Sequence, residues 1–387
     1  MGYMKNVKKT FKFKDLTNYI IVAVIFALSL ILKATGNLPR SSMTLLTQIA
    51  FSIILAVSLN LVVGFLGELS LGHAGFMCVG AYIGCLAANH LNKVIGSQLL
   101  VLIIAMVIGG VVAAFFGFLI GLPALRLKGD YLAIVTLAFG EIVRNVFKNM
   151  KTFGGALGLR TTTYKGGLFI VAFIMVFITL FLIQNVIKSK HGRAITAIRD
   201  NEIAAKAMGI NVTYYKLFVF VLAAFFAGIA GVIYGHYASP VIYSFFSYNY
   251  SIEILVMVVL GGMGNVTGSI VAATLITVLN FQLQTRLSGD LAAIKFLVYA
   301  IILIVFIIFN NAPALQPLRE RLSISRILHE RKEKKNPASI KNDPAKWDKI
   351  PTKIKMDEVL SVDVTPESPY TPDKPDKPDK KGGEKNG

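Results

Sequence analysis

A short stretch near the start of the chain combines residue types that could bind a charged ligand in apolar surroundings. The sequence GFLGELSLGHAG, residues 64–75, places the carboxylate of Glu68 and the imidazole of His73 among closely spaced glycines. Each glycine weakens a helix by about 1 kcal/mol relative to alanine, so this spacing predicts a break in the helix. The glycines of this segment are Gly64, Gly67, Gly72 and Gly75.

Two features of this break could bind a charged ligand. A helix that restarts there carries about half a positive charge at its N-terminus, which suits the carboxylate of a ligand. Glu68 would then either face the ammonium group of the ligand or stabilise the break by accepting backbone hydrogen bonds. His73 would serve as a neutral hydrogen-bonding group.

A second glycine-rich segment, VVLGGMGNVTGSIVAA at residues 258–273, follows Glu253. Corresponding breaks in two parts of a membrane chain are typical of a transport path, because lipid cannot satisfy the exposed backbone groups. The alternative is that the glycines only allow close helix packing. The residues of this segment that we predict to line the path are Gly261, Gly262, Gly264, Asn265 and Gly268.

The other reactive residue types argue against catalysis and metal binding. His73 has no cysteine or second histidine at the spacing of metal ligands. Cys78 and Cys85 would lie roughly 10 Å apart along a helix, which is too far for a disulfide. The sequence contains no P-loop motif for ATP and no arguable nucleophilic triad. We therefore predict that the chain is not an enzyme and binds no metal or cofactor of its own.

The composition indicates that these segments lie in a membrane. Of the 387 residues, 55% are hydrophobic and 16% are charged, and the mean hydropathy is +0.63. Windows without charged side chains, such as residues 94–125 and 217–252, exceed the roughly 20 residues that cross about 30 Å of hydrocarbon. The predicted fold class is all-α, a polytopic transmembrane helical bundle with broken, glycine-rich helices.

The net charge of +19 is distributed as in a membrane protein, so we predict no nucleic-acid partner. Basic residues precede the first apolar run, fill the loop 188–216 and recur in the tail from residue 319. Basic segments next to apolar spans lie in the cytoplasm, which places both termini there. The intervening windows then give about ten spans. The basic residues between 144 and 165 would lie outside the cell in this count. Either the loop that carries them folds back into the membrane, or the count is wrong by one pair of spans.

Three regions follow from this distribution. A basic cytoplasmic N-terminus covers residues 1–18, and a transmembrane domain covers residues 19–312. The remaining residues, 313–387, form a charged tail that contains PDKPDKPDK, a composition typical of cytoplasmic disorder.

One cytoplasmic loop, GRAITAIRDNEIAAKAMGINVTYYK at residues 192–216, has a helical pattern of its own. Apolar residues recur at helical spacing opposite charged ones, and Gly209 ends the pattern as a C-terminal cap. Such an amphipathic helix lies on the bilayer surface or docks in a groove of a partner protein. The residues of its apolar face are Ile195, Ile198, Ala205 and Met208.

Several of these stretches together resemble one family. EIAAKAMGI, residues 202–210, resembles the EAA coupling loop of ABC-importer permeases, although Ile203 interrupts Glu-Ala-Ala. LNLVVGFLGELSLGHAGFMCVGAY and VLGGMGNVTGSIVAA are similar to the branched-chain amino acid permease family, LivH and LivM. LRLKGDYLAIVTLAFGEIVR resembles the LivM type in particular. The resemblance covers residues 40–312.

The resemblance implies a permease subunit of an ABC importer for leucine, isoleucine and valine in the bacterial cytoplasmic membrane. The implied partners are a LivH-like permease, two cytosolic ATPases that bind the ATP, an extracytoplasmic binding protein, membrane lipid and the amino acid. The residues that it assigns to ATPase coupling are Arg199, Asp200, Glu202, Ala204, Ala205 and Gly209.

Two other functions remain open at this point. Permeases for urea or short amides share these motifs. An ion-coupled carrier could use Glu68, Glu141 and Glu253 as proton sites inside the membrane, although it would leave the coupling loop unexplained.

Overall fold

The structure, a computed structural model, describes residues 13–34, 40–124, 127, 129–162, 164, 166–286, 301 and 304. Within these residues the chain is helical, and a single β-bridge joins Leu159 to Val241. The all-α prediction is therefore confirmed. The predicted tail 313–387 and most of the last apolar window lie outside the described residues.

Eleven α-helices follow one another in the described part of the chain. A π-helical turn, Leu61–Leu66, extends the second helix. The helices are α1 (Phe13–Ala34), α2 (Arg40–Asn60), α3 (His73–Leu91), α4 (Gln98–Ala124), α5 (Asp130–Asn149), α6 (Leu168–Lys188), α7 (Lys190–Asp200), α8 (Glu202–Ala207), α9 (Val212–Tyr237), α10 (Tyr248–Gly261) and α11 (Val266–Arg286).

The prediction of about ten spans is not confirmed. Among the described residues, six segments are long and apolar enough to cross a membrane. Helix α10 has only 14 residues, and α5 carries four charged side chains along its length, so neither meets both criteria. The six segments are Ser41–Leu66, His73–Leu91, Gln98–Ala124, Leu168–Lys188, Val212–Tyr237 and Val266–Leu283.

Helices α3, α4 and α9 form the centre of the bundle, and α2 packs against α6, α9 and α11. The central helices approach closely because glycines face each other where they cross. A Cβ atom on Gly80 of α3 would stand 2.3 Å from the Cα atom of Gly228 on α9. The buried rings of Phe76 on α3 and Phe220 on α9 are also in contact, with their centroids 5.5 Å apart. Close backbone approach through small residues is the usual way in which membrane helices associate.

The segment between α5 and α6, which carries some of the basic residues that fit the span count badly, is hydrogen-bonded to α3 and to the residues that follow α9. The Asn89 side-chain amide donates to the carbonyl oxygen of Arg160 at 2.8 Å. The Ser239 hydroxyl donates to the carbonyl oxygen of Thr161 at 2.9 Å. These bonds lie at the end of α3 that is remote from His73.

We expect Gly80→Val to lower the stability of the protein sharply. The added side chain would collide with the α9 backbone, which cannot rotate away as a side chain can, and such overpacking costs about 1–3 kcal/mol or more. Gly96→Val is the matched control, since nothing lies within 4 Å of a Cβ atom at that position. The thermal unfolding midpoint of the purified protein checks this, and equal midpoints for the two variants would contradict the packing described.

Candidate functional site

The amphipathic loop folds as two short helices, α7 and α8, and not as one. Ser189 begins α7, and its hydroxyl accepts from the backbone N–H groups of His191 and Gly192. Asn201 ends α7 and caps α8 by accepting from the N–H groups of Ile203 and Ala204. Serine and asparagine are strong N-caps because their side chains satisfy N–H groups that have no partner in the first turn.

The apolar face of this α7–α8 segment is only partly as expected. Ile195, Ile198 and Ala205 are buried. Met208 was assigned to the same face, but its side chain is 83% exposed, because it follows the last turn of α8. Ile203, the residue that interrupts the Glu-Ala-Ala pattern, is 79% exposed. Two large apolar side chains therefore project outward from α8.

Arg199, near the end of α7, contacts the first glycine-rich segment. Its Nη1 donates to the carbonyl oxygen of Gly64 at 3.2 Å. Its Nε and Nη2 donate to Asp200 at 3.0 and 2.9 Å, which orients the guanidinium group. Gly67 makes room for the side chain, since a Cβ atom there would stand 2.7 Å from Arg199 Cγ. A planar group with five donors can hold both partners at once.

The same place also holds the second glycine-rich segment. A Cβ atom on Gly64 would stand 2.2 Å from the backbone nitrogen of Gly264, so the two backbones touch. Asn60, which is fully buried, accepts from the N–H group of Gly264 at 2.9 Å and donates to Ser269 at 2.9 Å. We call the cluster of Asn60, Gly64, Gly67, Arg199 and Gly264 the junction.

A chain of charges runs beside the junction. Lys216, in the first turns of α9, donates to the carboxylate of Glu68 and, at 3.1 Å, to that of Glu202. The Lys216 side chain is only 5% exposed, and those of Glu68 and Glu202 are 13% and 22% exposed. Charges removed from water in this way are stable only when they are paired and hydrogen-bonded. Lys216 thus joins α8 and α9 to Glu68, which lies in the segment between Leu66 and His73.

The described contact of the Glu68 carboxylate is with the Lys216 ammonium group, which is neither of the two roles expected from the sequence, so those roles stay predictions. The junction contains Arg199 and lies next to Asp200 and Glu202. Ala205 is on the buried side of α8. The Ala204 N–H group donates to the capping side chain of Asn201, and Gly209 follows α8 with a φ of +80°. Asn60 and Lys216 were not singled out from the sequence. A lone asparagine inside a long uncharged window was the available signal for Asn60.

The second half of the first glycine-rich segment lies elsewhere. His73 is 2% exposed, and its Nε2 is 2.9 Å from the Ser58 hydroxyl. Gly72 and Gly75 pack on α5, where Cβ atoms would stand 2.4 Å from the Thr136 carbonyl oxygen and 2.7 Å from Gly140 Cα. These contacts are what the close-packing alternative predicts. The assignment of these residues to a translocation path stays a prediction.

The connection between α10 and α11 is equally tight. A Cβ atom on Gly261 would stand 2.4 Å from the carbonyl carbon of Gly268. Gly262 and Gly264 have φ values of +86° and +78°. The Asn265 side chain accepts from the N–H group of Gly268 at 3.3 Å. Within the described residues, no group of three His, Cys, Asp or Glu side chains could hold a metal ion.

The charge chain sets the protonation of Glu202. Hydrogen bonding from Lys206, with a smaller contribution from Lys216, lowers the pKa of Glu202 to about 2. The ionised carboxylate is therefore favoured in the folded protein. A depressed pKa stabilises the fold above the unfolded-state pKa, and this contribution is lost as the pH falls toward the folded-state value.

We expect Lys216→Met to destabilise the protein by about 3–5 kcal/mol, because it leaves Glu68 and Glu202 without their shared partner. The double variant Lys216→Met with Glu68→Gln should recover part of the loss. Lys206→Met removes a comparable bond at a side chain that is 58% exposed, and it should cost less than about 1 kcal/mol. Unfolding midpoints of the purified variants check this, and similar effects at both lysines would contradict it.

We expect the stability difference between the wild type and Glu202→Gln to depend on pH. It should be full above about pH 4.5, the ordinary pKa of this group, and should shrink as the pH falls toward 2. Thermal unfolding measured at pH 7, 4 and 3 tests the sign. A difference that is constant over this range would show that the Glu202 charge does not stabilise the fold.

Comparisons with known proteins agree with the sequence resemblance. A family model described as "Branched-chain amino acid transport system / permease component" matches residues 41–307. The chain is 35% identical over 273 residues to the high-affinity branched-chain amino acid transport system permease protein LivM of Salmonella typhimurium and to that of Escherichia coli. Each match covers 62% of this chain and 63% of the relative.

A probable LivM permease of Methanocaldococcus jannaschii is 29% identical over 253 residues, which are 56% of this chain and 73% of the relative. No solved structure matches the chain. The chain thus spans a little under two thirds of the length of the two bacterial relatives. Since the family model covers more than half of the residues, the chain belongs to the family of permease components of branched-chain amino acid transport systems.

Proposed function

We propose that this chain is one permease subunit of an ABC importer for leucine, isoleucine and valine. The family membership supports the transport role, and the junction is the observation that carries the mechanism. Three segments that are far apart in sequence meet there: the α7–α8 segment, the end of α2 and the start of α11. The permease forms one wall of the translocation path and performs no catalysis. ATP binds to separate subunits, so this chain needs no cofactor.

The α7–α8 segment is the part that docks on an ATPase. Exposed Ile203 and Met208 give it an apolar contact, and the caps at Ser189 and Asn201 keep its two helices rigid. The residues Arg199, Asp200, Glu202, Ala204, Ala205 and Gly209 form or support this surface. Gly209, with its positive φ, sets the turn that returns the chain to α9.

A push on α7 and α8 reaches the membrane helices along two routes. Arg199 bonds the carbonyl oxygen of Gly64, which touches Gly264, so both glycine-rich segments move with α7. Lys216 links Glu202 on α8 to Glu68 and to the base of α9. Glycine-rich connections permit such movement because glycine adopts a wider range of backbone angles than other residues. The residues of these connections that line the moving part of the path are Gly67, Gly261, Gly262, Asn265 and Gly268.

Docking of a cytosolic ATPase places the junction at the cytoplasmic face of a bacterial plasma membrane. The basic N-terminus and the charged tail lie on the same side. A LivH-like permease supplies the other wall, and an extracytoplasmic binding protein delivers the amino acid to the opposite face. A probable LivH permease of M. jannaschii, 35% identical over 68 residues, supports two related subunits.

The alternatives are less well supported. An ion-coupled carrier needs carboxylates that exchange protons, but Glu68 is paired with Lys216 and Glu141 with Arg144 at 2.5 Å. The relatives described above are named for branched-chain amino acids and not for urea or short amides.

We expect Arg199→Gln to reduce leucine uptake by at least tenfold in the complete transporter, because it cuts the bond from α7 to Gly64. ATPase subunits should still co-purify, since the exposed apolar contacts on α8 remain. Arg193→Gln is the matched control, since Arg193 is an exposed residue of the same helix. Uptake of labelled leucine by vesicles, together with ATPase activity stimulated by loaded binding protein, gives the readout.

Two outcomes would count against the proposal. If Arg199→Gln and Arg193→Gln transport equally well, the junction does not transmit the movement. If the wild-type complex takes up labelled urea but no branched-chain amino acid, the substrate assignment is wrong.

A further inference from the structure

The ends of α3, α5 and α9 that are remote from the junction form one face together with the segments that follow them. We call this face the basic surface, and its residues are 89–98, 145–162 and 238–247. The N–H groups of Leu159 and Val241 each donate to the carbonyl oxygen of the other residue, at 3.1 and 2.8 Å. These two bonds, with those made by the Asn89 and Ser239 side chains, hold the three segments together.

The basic surface carries positive charge and no negative charge. The sequence contains no Asp or Glu in any of its three segments. The side chains of Lys93, Lys151 and Arg160 are exposed, and within the described residues none of the three forms an ion pair. Lys148 adds a further charge, and its Nζ atom lies 5.2 Å from the centre of the Tyr243 ring.

The position of these charges is unusual for a membrane protein. Helix α9 has 26 residues and is therefore roughly 39 Å long, which exceeds the hydrocarbon core of about 30 Å. Its first turns carry Lys216 beside the junction, and its other end lies at the basic surface. With the junction docked on a cytosolic ATPase, the basic surface is extracytoplasmic. Short segments on that side normally contain few lysines and arginines, so their presence there indicates an anionic partner.

Large apolar side chains are exposed among the basic ones. Leu157 is 87% exposed and Val94 is 83% exposed. Val94 follows the end of α3, and Leu157 lies close in the chain to Leu159, which is bonded to Val241 past the end of α9. Since both residues lie beyond the ends of helices that cross the hydrocarbon, lipid tails do not cover them. Apolar side chains surrounded by charged ones favour a protein partner over lipid headgroups.

We propose that the basic surface docks an acidic face of the extracytoplasmic binding protein. The inference rests on the proposed function and assigns the docking of that partner to named residues of this chain. Lys93, Lys151 and Arg160 attract the partner, and Leu157 and Val94 form the apolar contact. Complementary charge accelerates association and makes its rate depend on salt. The packed apolar contact mainly sets how slowly the complex dissociates.

The test is a binding measurement on the complete transporter in bilayer discs, with the leucine-loaded binding protein of the same transporter as the probe. Discs made of phosphatidylcholine alone contain no anionic headgroup that could bridge the two proteins. In these discs we expect the wild type to bind the probe. The association rate constant should fall at least tenfold between about 20 mM and about 300 mM sodium chloride, because salt screens exposed charges.

Two variants separate the charged contact from the apolar one. The triple variant Lys93→Glu, Lys151→Glu, Arg160→Glu should lower the association rate constant at least tenfold at low salt, with a smaller effect on dissociation. Leu157→Ser should instead raise the dissociation rate constant. Arg193→Glu is the matched control, since it reverses an exposed charge on α7, at the junction end of the protein. Co-purification of all subunits and the unfolding midpoint show that each variant is folded.

Three results would overturn the inference. They are equal association rates for the triple variant and Arg193→Glu, an association rate that does not change with salt, and binding that occurs only in discs that contain phosphatidylglycerol. The last result would show that the basic residues contact lipid headgroups. In each case leucine uptake by the wild-type transporter with its binding protein would show that the proposed function still stands. Absence of that uptake would instead refute the proposed function.

Discussion

The hydrogen bond from Arg199 to the carbonyl oxygen of Gly64 is the contact on which this arrangement depends. It joins residues 135 positions apart and attaches a helix outside the long apolar segments to the end of one inside them. The carbonyl group is available because Gly64 lies in the last turn before the helix ends at Leu66, where carbonyl groups have no intrahelical partner. The bond forms only because Gly64, Gly67 and Gly264 let the arginine and two backbones approach one another.

Three of the few charged side chains near the apolar part of the chain lie beside this bond and pair with one another. Glu68, Glu202 and Lys216 occupy one small region, and each carboxylate shares the same ammonium group. A single charge there would be very costly, whereas the paired set is stable and directional. Loss of Lys216 would leave Glu68 without its ion-pair partner, so α9 and the first glycine-rich segment are coupled energetically as well as geometrically.

The sequence indicated which residues belong to this site, but it did not indicate which of them contact each other. Glycine density and the amphipathic pattern identified residues 64–75, 258–273 and 192–216 from the sequence alone. The pairing of Glu68 with Lys216, 148 residues away, could not be predicted, because nothing local to either residue specifies its partner.

Two details of the α7–α8 segment differ from the sequence prediction because a helix end interrupts the amphipathic pattern. A continuous amphipathic pattern concealed the cap at Asn201 that divides α7 from α8, and it placed Met208 on the buried face although the helix ends before it. The count of about ten spans is not confirmed, because six segments of the described residues are both long and apolar enough to cross a membrane. Helix α10 has only 14 residues, and α5 carries four charged side chains along its length.

The central claim is that α7 and the first glycine-rich segment move as one body during transport. A Cβ atom at Gly67 would lie 3.5 Å from that of Arg199, which is within the range of a disulfide. The double variant Gly67→Cys with Arg199→Cys should therefore be impaired in leucine uptake when reduced, because the Arg199 bond is gone. Oxidation should restore uptake, because the disulfide replaces that bond. Uptake that stays low or falls further on oxidation, with the disulfide formed, would contradict the claim by showing that the two segments must separate.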